Sequence, residues 1–277
     1  MKNDYIVKKT YYSFVISAIL TSLTATVGIL IDNIIVGQYL GSAALGAMGI
    51  VGPVTLVFSA LGNLCSGGAT RAARALGKGK IQDVNIIFST NVFFVLGIGL
   101  VITFAGLLLT PQLADILGAK GVLYEPAKSY LYGYFLGTIP TIMLSAMMAF
   151  IRIDGSPKLP LFCMAVMTGC NIILDLAMVH LFHQGMFGMA LATTISYYLA
   201  IAAACTHFLK KNASLKLVRP QNFVRELGKT AVTGMPTAIS RISDTVKIMV
   251  LNHLMVTFVS VSAVTTLNVR MQANNFI

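Results

Sequence analysis

The stretch GILIDNIIVGQYLG, residues 28–41, sets an aspartate, Asp32, near the end of an apolar run that begins at about Ser13. A carboxylate in such surroundings is costly unless something meets its charge. What meets it depends on what the rest of the chain is. The 277 residues are 56% hydrophobic and 10% charged, against about 25% charged for an ordinary soluble domain. That balance excludes a soluble globular domain and points to an all-α, polytopic membrane protein.

A transmembrane helix needs roughly 20 apolar residues. Runs at about 13–37, 46–69, 84–109, 129–151, 159–182, 187–208 and 230–258 reach that length, and an eighth begins near Val261 and reaches Ile277. They are continuous rather than alternating, which fits helices and not barrel strands. The first run follows Lys8 and Lys9, but it is too long for a signal-peptide core and has no convincing cleavage site. Cys65, Cys163, Cys170 and Cys205 lie inside apolar segments without zinc or disulfide spacing, so they read as packing residues. Glycines crowd the second run, where Pro53 should introduce a kink. With no tryptophan in the chain, tyrosines are expected to supply any aromatic belt.

The net charge of +11 follows the topology. One side of the runs holds Lys2, Lys8, Lys9, Arg71, Arg74, Lys78, Lys80, Arg152 and Lys158, and then six more Lys and Arg between 210 and 229. The other side holds Lys120 and Lys128. Lys and Arg favour the cytoplasm, which puts the N-terminus inside a multi-pass cell membrane protein. No nucleic-acid partner is needed to explain the charge; the partner is the lipid bilayer.

The chain has nine acidic residues, and Asp32, Asp175 and Asp244 fall inside runs. Asp32 lies about five residues from the outer end of its helix, roughly 8 Å below that boundary. In CNIILDLAMVHLF, residues 170–182, Asp175 is about seven residues from an outer end, and Asn171 is one turn deeper on the same face. Thr193 is about six residues into the returning helix. These four side chains share a depth on three helices. Carboxylates, an amide oxygen and a hydroxyl are hard oxygen ligands, suited to Na+ or to a proton held between two acids. Structural hydrogen bonding between helices is the alternative for each of them. Asp244 is placed differently, midway along its run with Arg241 and Lys247 three residues to either side. It is either an internal ion pair or a cavity acid that attracts a cationic solute. A weak internal likeness pairs residues 31–43 with 251–263, setting Asn252 against Asp32. It suggests parallel repeats about an axis normal to the membrane.

With these motifs in hand, the chain resembles the multidrug and toxic compound extrusion (MATE) transporters, of the wider group that includes polysaccharide exporters and lipid flippases. The likeness lies in IDNIIVGQYLGSAALGAMGI (31–50), CSGGATRAARALGKGK (65–80), FIRIDGSPKLP (150–160), NIILDLAMV (171–179), GMFGMALATTISYY (185–198) and GMPTAISRISD (234–244). It implies two six-helix lobes, twelve helices in all, and cation-coupled (Na+ or H+) antiport that exports small organic, cationic solutes by alternating access. It also implies that Asp32, Asn171, Asp175 and Thr193 form the cation site, and that Asp244 is a candidate substrate-cavity acid, although the family's acid there is Glu. The matching domains are an N-lobe at 1–209, a cytoplasmic linker at 210–229 and an incomplete C-lobe at 230–277, with helix seven and the start of helix eight. The partner would then be the remaining C-lobe or a second chain, and the membrane a bacterial plasma membrane.

Other classes fit less well. An intramembrane aspartyl protease needs Tyr-Asp and Gly-X-Gly-Asp motifs, whereas the acids here sit in LIDN and ILDL; the chain is not expected to be an enzyme or to need a cofactor beyond the coupling ion. A lipid or lipid-linked saccharide flippase would line its cavity with cations, and the first six runs contain no Lys or Arg between their loops. A truncated, non-transporting membrane protein is the remaining alternative. On that reading residues 230–277 sit loosely, because Arg241, Asp244 and Lys247 lack partners.

Overall fold

The computed structural model describes residues 2–210 and 213–258. Helix α1 (Lys2–Ile35) passes through a π-helical turn, Val36–Leu40, into α2 (Gly41–Gly77). Then follow α3 (Ile81–Ile116), α4 (Tyr124–Leu136), α5 (Thr138–Ile153), α6 (Leu159–His180), α7 (Met186–Cys205) and α8 (Phe223–Phe258). The described residues contain no strand, so the fold is all-α.

Length and composition make the membrane argument concrete. Helical structure is continuous over Tyr11–Gly77, 67 residues. As a straight rod that would span about 100 Å, against a hydrocarbon core of about 30 Å. The stretch therefore crosses twice. Its break is at Gly41, whose φ of 86° and ψ of 178° leave helical space and suit a residue without a Cβ. Helices α3, α6 and α7 are each long and apolar enough to cross once. Their outer faces are greasy: Leu108 is 77% exposed and Ile173 68%, a surface that belongs in lipid.

The run expected as one helix over 129–151 is two. Helices α4 and α5 bend by 54° at Gly137. Pro140 has no N–H to offer the Leu136 carbonyl, and its ring crowds that turn. Threonine hydroxyls satisfy neighbouring carbonyls instead: Thr138 and Thr103 both donate to the Phe135 carbonyl, at 2.7 and 3.2 Å. Thr194 on α7 donates to the Gly133 carbonyl at 3.0 Å. Gly137 makes room for that contact, since a Cβ there would collide with Thr194 Oγ1. Pro53 is carried inside α2 without ending it. It likewise withholds an N–H from the Gly49 carbonyl, and the buried Asn252 of α8 donates there at 2.9 Å.

Helix α8 lies antiparallel on α2: Asn252 is beside Gly49, Gly234 against Leu64 and Gly67, and Glu226 on Arg71. A Cβ on Gly67 would collide with the Gly234 nitrogen, so the two backbones touch there. Over 230–258 this close seating departs from the expectation that residues 230–277 sit loosely. Arg241 and Lys247 are exposed and Asp244 is half-buried. Among the described residues Asp244 makes no ion pair, so the internal salt bridge considered for it does not form. The three charges also leave α8 without an 18-residue stretch as apolar as those of α3, α6 and α7. The eighth run, from Val261, lies outside the described residues.

The segment before α8 is a strap rather than a loose linker. Asp154, at the end of α5, accepts from the Ser214 and Leu215 backbone N–H groups, at 3.1 and 3.2 Å, and from the Ser214 hydroxyl. Buried His207 places Nε2 2.7 Å from the same carboxylate. Further along, Lys216 N–H donates to Asn85 Oδ1 at 2.9 Å and Val218 N–H to Ser89 Oγ at 2.8 Å. Leu215 is buried against Phe88 and Phe150. Helix α8 then begins at Phe223.

Candidate functional site

Helix α6 packs between α1 and α7, which draws three of the polar intramembrane positions together. The α1–α6 approach is close at Gly28, where a Cβ would meet Thr168 Cγ2 at 3.0 Å. Four-residue spacing sets Asn171 and Asp175 on one face of α6. Asn171 Nδ2 donates to Asp175 Oδ2 at 3.0 Å and lies 3.5 Å from Thr193 Oγ1 on α7. The Thr193 hydroxyl donates back to the Met189 carbonyl at 3.1 Å, which leaves its lone pairs for an incoming donor or cation. Asp175 has no exposed surface and Asn171 is 3% exposed.

Asp32 reaches this group from α1. Its carboxyl and that of Asp175 are close enough to share a hydrogen bond. In each, Oδ1 is buried without a partner. Two carboxylates in contact away from water repel strongly when both are charged. One positive charge between them removes the conflict, and the donor set fits either a proton or a small hard cation.

The group opens onto a cavity of about 250 Å3 whose wall includes Asp32, Asn171, Thr193, Tyr130, Tyr134 and Tyr197. Asp175 stands behind this wall. The structure thus brings together four of the five side chains singled out in the sequence. Asp244, on α8, is not part of the wall.

Three residues were missed. The tyrosines were expected at the membrane boundary, yet Tyr130, Tyr134 and Tyr197 face inward on this cavity. Tyr134 stacks between Phe58 and Tyr130, with ring centroids 5.2 and 5.8 Å away. Their spacing held a signal: Tyr130 and Tyr134 are one turn apart, and Tyr197 is one turn after Thr193. Among the described residues, no Lys or Arg lines the cavity.

Comparison with known proteins agrees with this architecture. The MatE family model matches residues 17–177. The multidrug export protein MepA of Staphylococcus aureus (strain MRSA252) is 29% identical over 205 residues, 72% of this chain and 45% of the relative. The chain therefore spans about half the length of the curated relatives it matches. The structure of the MATE multidrug transporter DinF-BH superposes with a TM-score of 0.87 at 23% identity, covering 95% of this chain and 60% of that one. An inward-facing multidrug resistance MATE transporter of the MOP superfamily gives a TM-score of 0.80 at 23% identity, covering 88% and 56%. The six-pass bundle with its bent fourth pass is thus a fold already seen in solved structures, and, with more than half of its residues matched by the family model, the chain belongs to the MatE family.

Proposed function

We propose that the protein works as a cation-coupled antiporter, exporting small organic cations in exchange for Na+ or H+ through the site built on Asp32, Asn171, Asp175 and Thr193. In this reading residues 1–209 form one lobe, 210–229 the linker and 230–277 the start of a second lobe against which the first rocks. The excess of basic residues at one end of the bundle supports a cytoplasmic N-terminus, and the Staphylococcus relatives support a bacterial cell. The observation that carries the proposal is the pairing of Asp32 with Asp175 beside an aromatic cavity that, among the described residues, has no basic side chains. Aromatic faces favour organic cations, and the free carboxylate supplies the attracting charge. A cation entering the pair cancels that charge, so solute and coupling ion compete for one site. Such competition is what exchange transport requires.

The π-helical turn that follows α1 gives the competition a mechanical outlet. Such turns carry strain and cluster at functional sites. Asp32 is four residues before Val36, where this one starts. Neutralising Asp32 removes its repulsion from Asp175 and lets this end of α1 settle differently.

The test uses the protein expressed from its full reading frame in a host stripped of its own exporters. Asp32→Asn should abolish efflux while membrane abundance stays near normal. Unchanged drug resistance would sink the proposal. The two ions are then separable. A sodium ion needs the Asn171 amide turned oxygen-inward and Thr193 as a further ligand, whereas a proton needs neither. Transport across a pH gradient in sodium-free buffer, with the Asn171→Leu and Thr193→Val variants alongside, distinguishes them.

A further inference from the structure

A second, larger cavity of about 510 Å3 sits at the basic end of the bundle, between the end of α2, the start of α3 and the start of α8. Five cations line it, Arg71, Arg74, Lys78, Lys80 and Lys229, with two acids, Asp83 and Glu226. Glu226 is already engaged: Arg71 pairs with it, and Lys229 Nζ donates to it at 2.6 Å. Arg74, Lys78 and Lys80 are exposed and, among the described residues, have no ion-pair partner. Helices α3 and α8 both begin at the rim, marked by Lys80 and Asn222, and add the positive ends of their dipoles. The preference of basic residues for the cytoplasm explains that they lie at this end, but not that they converge on one concavity.

A neighbouring groove says what kind of anion would fit. It shares Arg71, Arg74 and Lys229 with the cavity and continues along α8 past Gly228, Val232 and Thr233. Val232 is 70% exposed, and the position of a Cβ on Gly228 is open space. A cluster of cations joined to a trough that runs past an exposed apolar side chain, Val232, matches an amphiphile, with a phosphate at one end and an acyl chain at the other. A free phosphate would have no use for the trough.

We propose that the α2–α8 seam binds one anionic glycerophospholipid, its phosphate among Arg74, Lys78 and Lys80 and an acyl chain along Val232. The lipid would bridge α2 and α3 to α8, next to the Arg71–Glu226 pair that already joins them. This inference does not depend on cation coupling at Asp32.

The test is lipid retention by the purified protein in nanodiscs of equal phosphatidylglycerol and phosphatidylcholine, read by native mass spectrometry. Retention should favour phosphatidylglycerol, and the Arg74→Ala, Lys78→Ala, Lys80→Ala combination should cut that preference on the order of tenfold or more. Replacement by the other basic residue (Arg74→Lys, Lys78→Arg, Lys80→Arg) should keep it, as should Lys120→Ala at the opposite end. Gly228→Leu, which fills the trough and leaves every charge in place, should also weaken retention, and it keeps the question answerable if the triple variant misfolds. Equal retention of both lipids, or indifference to both the triple and the Gly228 variants, overturns the proposal. Equally tight binding of inorganic phosphate, unaffected by Gly228→Leu, would make this a free-phosphate site and overturn the lipid assignment.

Discussion

Removing the Asp154 carboxylate should free the strap that leads into α8. Asp154→Ala deletes the acceptor for two backbone N–H groups, at Ser214 and Leu215, and for the Ser214 hydroxyl, and strips buried His207 of its 2.7 Å partner. Each buried donor left without a partner costs about 1–3 kcal/mol. Ser214 is half-buried, so water can rescue some of them. A total of about 3–5 kcal/mol is expected, the range for breaking a buried charged pair. The loss is local, because Lys216 and Val218 remain tied to Asn85 and Ser89 on α3. At 1.4 kcal/mol per factor of ten, amide exchange at Ser214 and Leu215 should accelerate by about two to three and a half orders of magnitude. Hydrogen–deuterium exchange with peptide-level mass spectrometry measures this directly. Asp154→Asn retains one acceptor oxygen and should fall between the two. Exchange at Ser214 and Leu215 that is the same in Asp154→Ala as in the unaltered protein would refute the reasoning.

Other consequences of the packing are open to measurement. Asn252→Leu removes the donor that satisfies the Gly49 carbonyl opposite Pro53; a stability loss of about 1–3 kcal/mol is expected in thermal unfolding, and no loss would mean that the carbonyl finds water. Gly67→Ala should force α2 and α8 apart, at about 1–3 kcal/mol, while Gly228→Ala, where a Cβ meets nothing within 4 Å, should be harmless; spin labels across the seam would read the difference. Burial alone would raise the Glu226 carboxyl, but hydrogen bonds from Lys229 and Arg71 outweigh it and hold it below its ordinary value of 4.5. A depressed folded-state value stabilises the seam fully above pH 4.5 and loses that stabilisation as pH falls further, through the folded value. The α2–α8 spin-label distance should therefore hold from pH 7 to 5 and widen below 4.5, and a distance that widens above pH 5 would point to a different group.

Composition and run length were enough to establish a helical membrane protein, because lipid forces every span to be long, apolar and internally hydrogen-bonded. The four candidate site residues were legible for a related reason. Buried acids are rare in lipid, so Asp32 and Asp175 stand out without any structure, and helical spacing brings Asn171 to Asp175. What the sequence left open depends on how helices rotate and meet. Whether Tyr130 and Tyr134 face lipid or the cavity is a matter of a few tens of degrees about one helix axis. Pro140, inside a run read as one helix, gave no hint of the bend's partner: the hydroxyl that settles beside it comes from Thr194, 54 residues further on. The same holds at Pro53, whose deprived carbonyl is met by Asn252. The strap was least visible of all, because a segment without periodicity is held by single bonds to Asp154, Asn85 and Ser89, residues 60 to 131 positions away. Periodicity reports what a residue does to its own helix. Which distant donor satisfies which buried acceptor is decided when the helices pack and each such group must find a partner or remain a cost.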